Sequence, residues 1–301
     1  MLPIIYIADV HFTSKKPQYR TDDYAATALR KFRFILEQAD KYGGNVLIGG
    51  DLLDKPSIKP ELLNAIIKEI FDFDASVISI AGQHDQSFHN PDLRKSSYGT
   101  LIAAEAIIHI DNERELLYQH SHIYGRSWGE PYPTPHTAGT NILVAHETVT
   151  KGEPPPWLSA RSAEQMIEEH PGFDYILTGD FHDKFVVTHN GCTLVNSGPM
   201  LRSSIDKRDY EPACWLINDD GVTEIPIPIE EDVFDLGAVN TTREESDNSE
   251  LEARIEEFLE SLGVTADKPS FDQIVNKGLE TINDNKLKNE IMEVMDYVRQ
   301  N

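Results

Sequence analysis

The chain has 301 residues, 40% hydrophobic and 26% charged, which fits one large soluble domain plus a smaller appendage and excludes a disordered or low-complexity class. Its two cysteines, Cys192 and Cys214, form no CxxC pair, no apolar run reaches the length of a membrane span, and the opening residues lack a signal peptide's basic region. A disulfide framework and a membrane partner are therefore not expected, and cytoplasm is the expected compartment. The formal net charge of −24 counts against a phosphate-rich partner, yet residues 241–301 alone carry 15 acidic and 7 basic side chains. Basic residues meanwhile follow the motifs described below: Lys15, Lys16 and Arg20; Lys55 and Lys59; Arg94 and Lys95; Arg202, Lys207 and Arg208. The field at a cleft matters more for steering than the total, although each of these is also readable as an ordinary solvated charge.

In chain order, Pro3–Ala8 reads as a buried strand. Asp22–Tyr42 reads as a helix with Ala25, Leu29, Phe32, Leu36 and Ala39 on one face and Gly43-Gly44 as its stop. A strand at Asn45–Ile48, a helix at Pro60–Phe71 and a strand at Ser76–Ala81 complete a βαβαβ opening, which implies a parallel sheet. Further strands are predicted at Asn141–Ala145, Asp174–Thr178, Phe185–His189, Thr193–Asn196, Ala213–Ile217 and Thr223–Ile227, the last two joined by an Asp-Gly hairpin signal. The expected fold class is a layered α/β sandwich over residues 1–228. An acidic linker at 229–249 and a helical segment at 250–301, a cap or a partner-docking element, follow.

Five segments place Asp or His just after an apolar strand: Asp9-Val10-His11, Gly49-Gly50-Asp51, Gly82-Gln83-His84-Asp85, Ala145-His146 and Gly179-Asp180-Phe181-His182. In open α/β sheets ligands gather beyond the carboxyl ends of the strands, so these groups are expected in one place. Mixed carboxylate and imidazole donors suit Mn²⁺, Fe or Zn²⁺ better than Ca²⁺. A carboxylate bridging two such ions suits displacement at phosphorus, with water as the nucleophile. No GxSxG elbow or Walker loop competes.

The ordered series DxH, GGD, GNH(D/E), a lone strand-end His, and GHxH over residues 9–182 resembles the calcineurin-like metallophosphoesterases. The resemblance implies an α/β/β/α sandwich and two divalent metal ions. By matching position, Asp9, His11, Asp51 and His182 are the expected ligands of the first ion, with Asp51 bridging. Gln83, His146 and Asp180 fall where the second ion's ligands belong, and His84 matches the histidine that contacts the scissile phosphate and helps the leaving group depart. Two positions depart from the pattern: Gln83 replaces Asn, and Asp180 replaces the first His of GHxH. Both fall at the second ion, which implies a site retuned toward Mn²⁺ or Mg²⁺, or alternatively a weak or vacant one.

The Gly49–Asp54 sequence, the motif order and the Asn196–Met200 turn resemble SbcD-type nucleases, and compact forms of this kind resemble those of large bacterial viruses. This implies a Mn²⁺-dependent exo- and endonuclease subunit acting on DNA, an SbcC-like coiled-coil ATPase as partner, and a homodimer. It also implies a bacterial cytoplasm, or a host's if the chain is viral. Tyr98, Arg126 and Arg202 are candidate DNA or phosphate contacts in that reading. A phosphatase or phosphodiesterase acting on small nucleotides or phosphoproteins, and a non-catalytic subunit with a degenerate second site, are the alternatives.

Overall fold

Side chains of the first strand alternate between two buried faces and set the layers. In β1 (Ile4–Ile7) all four side chains are buried; Ile5 and Ile7 join one apolar cluster, Ile4 and Tyr6 another. The computed structural model describes residues 3–235 apart from 114, 119, 136, 137 and 232. These belong to the first of two units, Met1–Ala238; the second, Val239–Asn301, lies outside the described residues. The expected helical segment at 250–301 and most of the acidic linker therefore fall outside them too.

After β1, α1 (Tyr24–Tyr42) opens at Asp23, whose carboxylate accepts from Ala26 N–H, and closes at Gly43 in the left-handed conformation. Next come β2 (Asn45–Ile48), α2 (Pro60–Phe71) with its proline in the first turn, and β3 (Val77–Ser79). A short helix α3 (Ser97–Ala103), capped by Ser96, leads to β4 (Ile108–His109). These four strands pair in parallel, as the βαβαβ reading requires. β5 (Leu116–Tyr118), β6 (Ser121–Arg126) and β7 (Thr140–His146) begin a second sheet. The small pair β8 (Val149–Thr150) and β9 (Arg161–Ser162) precedes α4 (Ala163–Glu169). Then follow β10 (Tyr175–Gly179), β11 (Phe185–His189), β12 (Cys192–Asn196), β13 (Ala213–Asn218) and β14 (Gly221–Pro226).

The first sheet runs β14-β13-β1-β2-β3-β4 and the second β11-β12-β10-β7-β6-β5. Between them lies a core of Tyr6, Leu47, Ile78, Ile142, Val144, Leu177, Val195 and Trp215. Phe32, Ile35, Leu36 and Ile66 of α1 and α2 pack on the outer face of the first sheet, and Met166 and Ile167 of α4 on that of the second. The chain is thus a mixed α/β sandwich of two sheets between helices.

Three details differ from expectation. The buried face of α1 is led by Tyr24, Ala28, Phe32, Ile35, Leu36 and Ala39, with Ala25 and Leu29 at its edge. α3, α4, β4, β5, β6, β8 and β9 were not foreseen: the helices are capped seven-residue elements of about two turns, too short for a clear apolar stripe, and β4, β5, β8 and β9 have only two or three residues each. The start of the supposed linker is docked, since Val233 O accepts from Thr21 N, Asp235 N donates to Tyr19 O, and Phe234 bridges to Arg20.

Candidate metal centre

Topology alone brings the strand ends together. Asp9, Asp51 and Gln83-His84 follow β1, β2 and β3, which are neighbours; His146 ends β7 and Asp180 follows β10, also neighbours. Asp9, His11, Asp51 and Asp180 all have positive φ, 51°, 49°, 49° and 83°. Non-glycine residues rarely adopt that conformation, and such strain is held where a site over-determines it. Gly50, at φ 94°, passes against His146, so any Cβ there would strike the imidazole.

His146 is fully buried, and its Nδ1 lies 2.7 Å from Gly49 O. A carbonyl can only accept, so Nδ1 carries a proton and Nε2 is the nitrogen turned toward the carboxylates, free to offer its lone pair to a cation once it gives up any proton. That Nε2 is 3.3 Å from Asp51 Oδ2 and has no hydrogen-bond partner. His11 Nε2 stands 3.9 Å from Asp9 Oδ1, 3.8 Å from Asp51 Oδ2 and 3.4 Å from His182 Nε2. His182 Nε2 is in turn 4.0 Å from Asp9 Oδ1. Two nitrogens bound tetrahedrally to one zinc-sized ion would stand about 3.4 Å apart. Asp9, His11 and His182 form one group able to hold a cation, and Asp9, Asp51 and His146 another.

The electrostatics ask for that cation. Among the described residues, the ion-pair partners of Asp9, Asp51 and Asp180 are histidines alone. Burial pushes the Asp9 carboxyl up to about 7. Burial opposes the charge on Asp51 as well, but the surrounding His146, His11 and His84 hold it down to about 2. Burial would lower His146, yet Asp51, Asp9 and Asp180 push it up to about 10, so without a metal a proton sits among the carboxylates. A divalent cation would replace it, and the residues fit one.

Gln83 and Asp180, the two departures, face each other: Gln83 Nε2 donates to Asp180 Oδ1 at 2.5 Å, leaving Gln83 Oε1 buried without a partner. Thr148 Oγ1 donates to the other Asp180 oxygen, and Asp180 Oδ1 is 3.9 Å from His146 Nε2. His84 is half-exposed; its Nδ1 donates to Asp54 O at 2.8 Å, and its Nε2 is 3.9 Å from Asp51 Oδ2.

Asp54, Asp85 and Thr148 were not singled out beforehand. Asp54 joins His11 and His84 in a third group with metal-binding geometry. Asp85, fully buried, accepts from the N–H groups of Leu52, Leu53 and Gly82, tying the loop that carries Asp51 to the turn that carries His84. Its place directly after His84 in the motif was the only signal. Asp85→Ala would orphan three buried donors, so we expect a loss of about 3 kcal/mol, read as a lower urea midpoint at unchanged slope. An unchanged midpoint would show that this carboxylate does not hold the loops.

The three candidate substrate contacts lie elsewhere. Tyr98 is fully buried, with its hydroxyl 3.1 Å from His109 Nδ1. Arg202, also buried, donates to the carbonyls of Arg208 and Glu230. Arg126 donates to Glu130 O and His146 O, pairs with Glu147 at 2.8 Å and stacks on Tyr132. All three engage groups of the fold itself, and Tyr98 and Arg202 are buried.

A family model described as calcineurin-like phosphoesterase matches residues 2–184. No curated protein matches the chain. Among solved structures, the TT1561 protein of Thermus thermophilus aligns with a TM-score of 0.48 at 11% identity, over 75% of this chain and 99% of that one. An archaeal phosphodiesterase aligns at 0.43 and 13% identity, over 74% and 99%. A putative 5'-nucleotidase from Staphylococcus aureus, in complex with alpha-ketoglutarate, aligns at 0.48 and 13%, over 85% of this chain and 58% of that one.

Proposed function

The chain belongs to the calcineurin-like phosphoesterases, and from that premise we propose that it hydrolyses phosphodiester bonds in DNA, as the nuclease subunit of an SbcCD-type assembly. Phosphoester hydrolysis is the family's chemistry; the choice of DNA rests on the openness of the centre. Two grooves meet at His84. One, of about 620 Å³, is lined by His11, Thr13, Lys15, Lys16, Gln18 and His182. The other, of about 640 Å³, is lined by Lys55, Pro56, Gln83, His84, Phe88 and His89. A site for a small ester encloses most of its ligand. A groove on each side of the reacting position, with lysines in both, suits a strand that continues past the scissile phosphate.

Asp9, His11, Asp51 and His182 would hold one divalent cation, and Asp51, Gln83, His146 and Asp180 the other, Mn²⁺ by preference. When bound, such ions supply Lewis acidity toward phosphoryl oxygens and lower the pKa of water, so no nucleophilic side chain is required. The chain's own work is then positional. The Asp54 carbonyl accepts from His84 Nδ1–H and turns Nε2 toward the cluster; when the ring also carries a proton on Nε2, that proton can pass to a departing oxygen and leave the neutral Nδ1–H imidazole still held by Asp54. Lys15, Lys16 and Lys55 attract the flanking phosphates.

The test is cleavage of single- and double-stranded DNA with Mn²⁺, with and without a coiled-coil ATPase partner. We expect Mn²⁺-dependent cleavage, weakened about tenfold by joint Lys15→Ala and Lys16→Ala substitution at physiological salt, with bis-p-nitrophenyl phosphate turnover unchanged. Turnover of that small ester with no DNA cleavage in any mixture would overturn the reading in favour of a small-nucleotide phosphodiesterase, which the net charge of −24 favours.

A further inference from the structure

The turn that carries His84 runs on into an unusual aromatic projection. Phe88 has φ 53° and ψ 38°, and His89 follows with φ 55°. Two successive non-glycine residues in the left-handed region are unfavourable, and so is a phenylalanine ring left in water, yet Phe88 is 98% exposed. The surroundings hold it there. Asn90 N donates to Ser87 O at 3.0 Å, and Gln86 Nε2 donates to Trp128 O at 3.1 Å. Trp128 is itself tied through its N–H to Ala81 O at 2.9 Å, and the His89 ring lies on the indole with centroids 4.9 Å apart. The turn is thus pinned on both sides of Phe88, and its backbone presents the ring to solvent. It lines the same groove as His84 and Lys55, with Pro56 adding a second apolar surface.

We infer that this groove is a nucleobase subsite in which the base next to the scissile phosphate stacks on Phe88. The inference rests on the phosphodiesterase reading above and names what the substrate must carry. The groove alternates what a nucleotide alternates: a cationic side chain for phosphate, an apolar ring for a base, and His84 at the junction where the ester bond would lie. Every base has a π-face, so such a platform favours nucleic acid over simple esters without selecting a sequence.

The experiment compares the Mn²⁺-loaded wild type with Phe88→Ala and Phe88→Trp on a single-stranded oligonucleotide and on one of equal length with abasic residues around the cleaved position. Loss of one stacked base predicts a drop in kcat/KM of roughly tenfold for Phe88→Ala on the base-bearing strand. It also predicts near wild-type values for Phe88→Trp, and no difference between wild type and Phe88→Ala on the abasic strand. Equal rates on the base-bearing strand, or equal losses on both strands, would overturn the subsite; the first result would point to a protein partner on Phe88 instead. A wild type that spares polymers but cleaves a dinucleotide with the same Phe88 dependence would overturn the nuclease reading alone. One that cleaves neither would overturn both.

Discussion

Asp51→Asn is expected to lower Mn²⁺-supported hydrolysis of bis-p-nitrophenyl phosphate by about a thousandfold while the fold survives. Asp51 Oδ2 is 3.3 Å from His146 Nε2, 3.8 Å from His11 Nε2 and 3.9 Å from His84 Nε2, so it stands where both ligand sets meet. Its Oδ1 accepts from His84 N–H at 2.9 Å. Asparagine keeps the shape and that acceptor oxygen but loses the charge, and its amide nitrogen can donate to His146 Nε2. The loss of charge at a shared ligand forfeits several kcal/mol of transition-state stabilisation, on the order of 10³ in rate. Removing the charge relieves Asp9 in part but forfeits the pairing of Asp51 with His146, so the metal-free variant should melt lower than the metal-free wild type while still unfolding cooperatively. Turnover and melting temperature measured side by side check this; activity above about a tenth of wild type would rule out Asp51 as the shared ligand.

His84→Ala is expected to act selectively. With Nδ1 spoken for by Asp54 O and the ring side chain 43% exposed at the groove junction, Nε2 is the nitrogen that meets substrate. A positioned proton donor contributes about 10²–10⁴ when the leaving oxygen is a poor leaving group, and little when it is not. We therefore expect a loss on the order of 10³ for a nucleoside 3′-alkoxide leaving group but under about tenfold for p-nitrophenolate. Equal losses on both esters would assign His84 to holding the centre together rather than to protonation, and no loss on either would remove it from the chemistry.

The strand-end pattern carried most of what could be read in advance. Apolar runs ending in Asp or His place β1, β2, β3, β7 and β10, and a parallel sheet delivers whatever follows a strand to one edge. That is why Asp9, His11, Asp51, His146 and His182 could be expected together, and the structure brings them together. Gln83 and Asp180 were placed at the same edge, but their mutual hydrogen bond depends on rotamers that no spacing encodes. Arg126 and Arg202 show the limit more sharply. Residue type announces a charge, yet whether the guanidinium faces a groove or backbone carbonyls is decided by the packing of distant segments such as Glu230. Asp85 stands in the strand-end motif, yet no spacing encodes that its carboxylate accepts from three backbone N–H groups and braces two loops. Phe88 had no signal at all, because exposure of an aromatic residue follows from a pinned turn rather than from composition.

Metal analysis tests the centre most directly. Protein loaded with Mn²⁺ and then desalted should retain close to two ions per chain, with Asp51→Asn retaining clearly fewer. Wild-type protein that keeps one ion or none would contradict a paired cation site built from Asp9, His11, Asp51, His146 and His182.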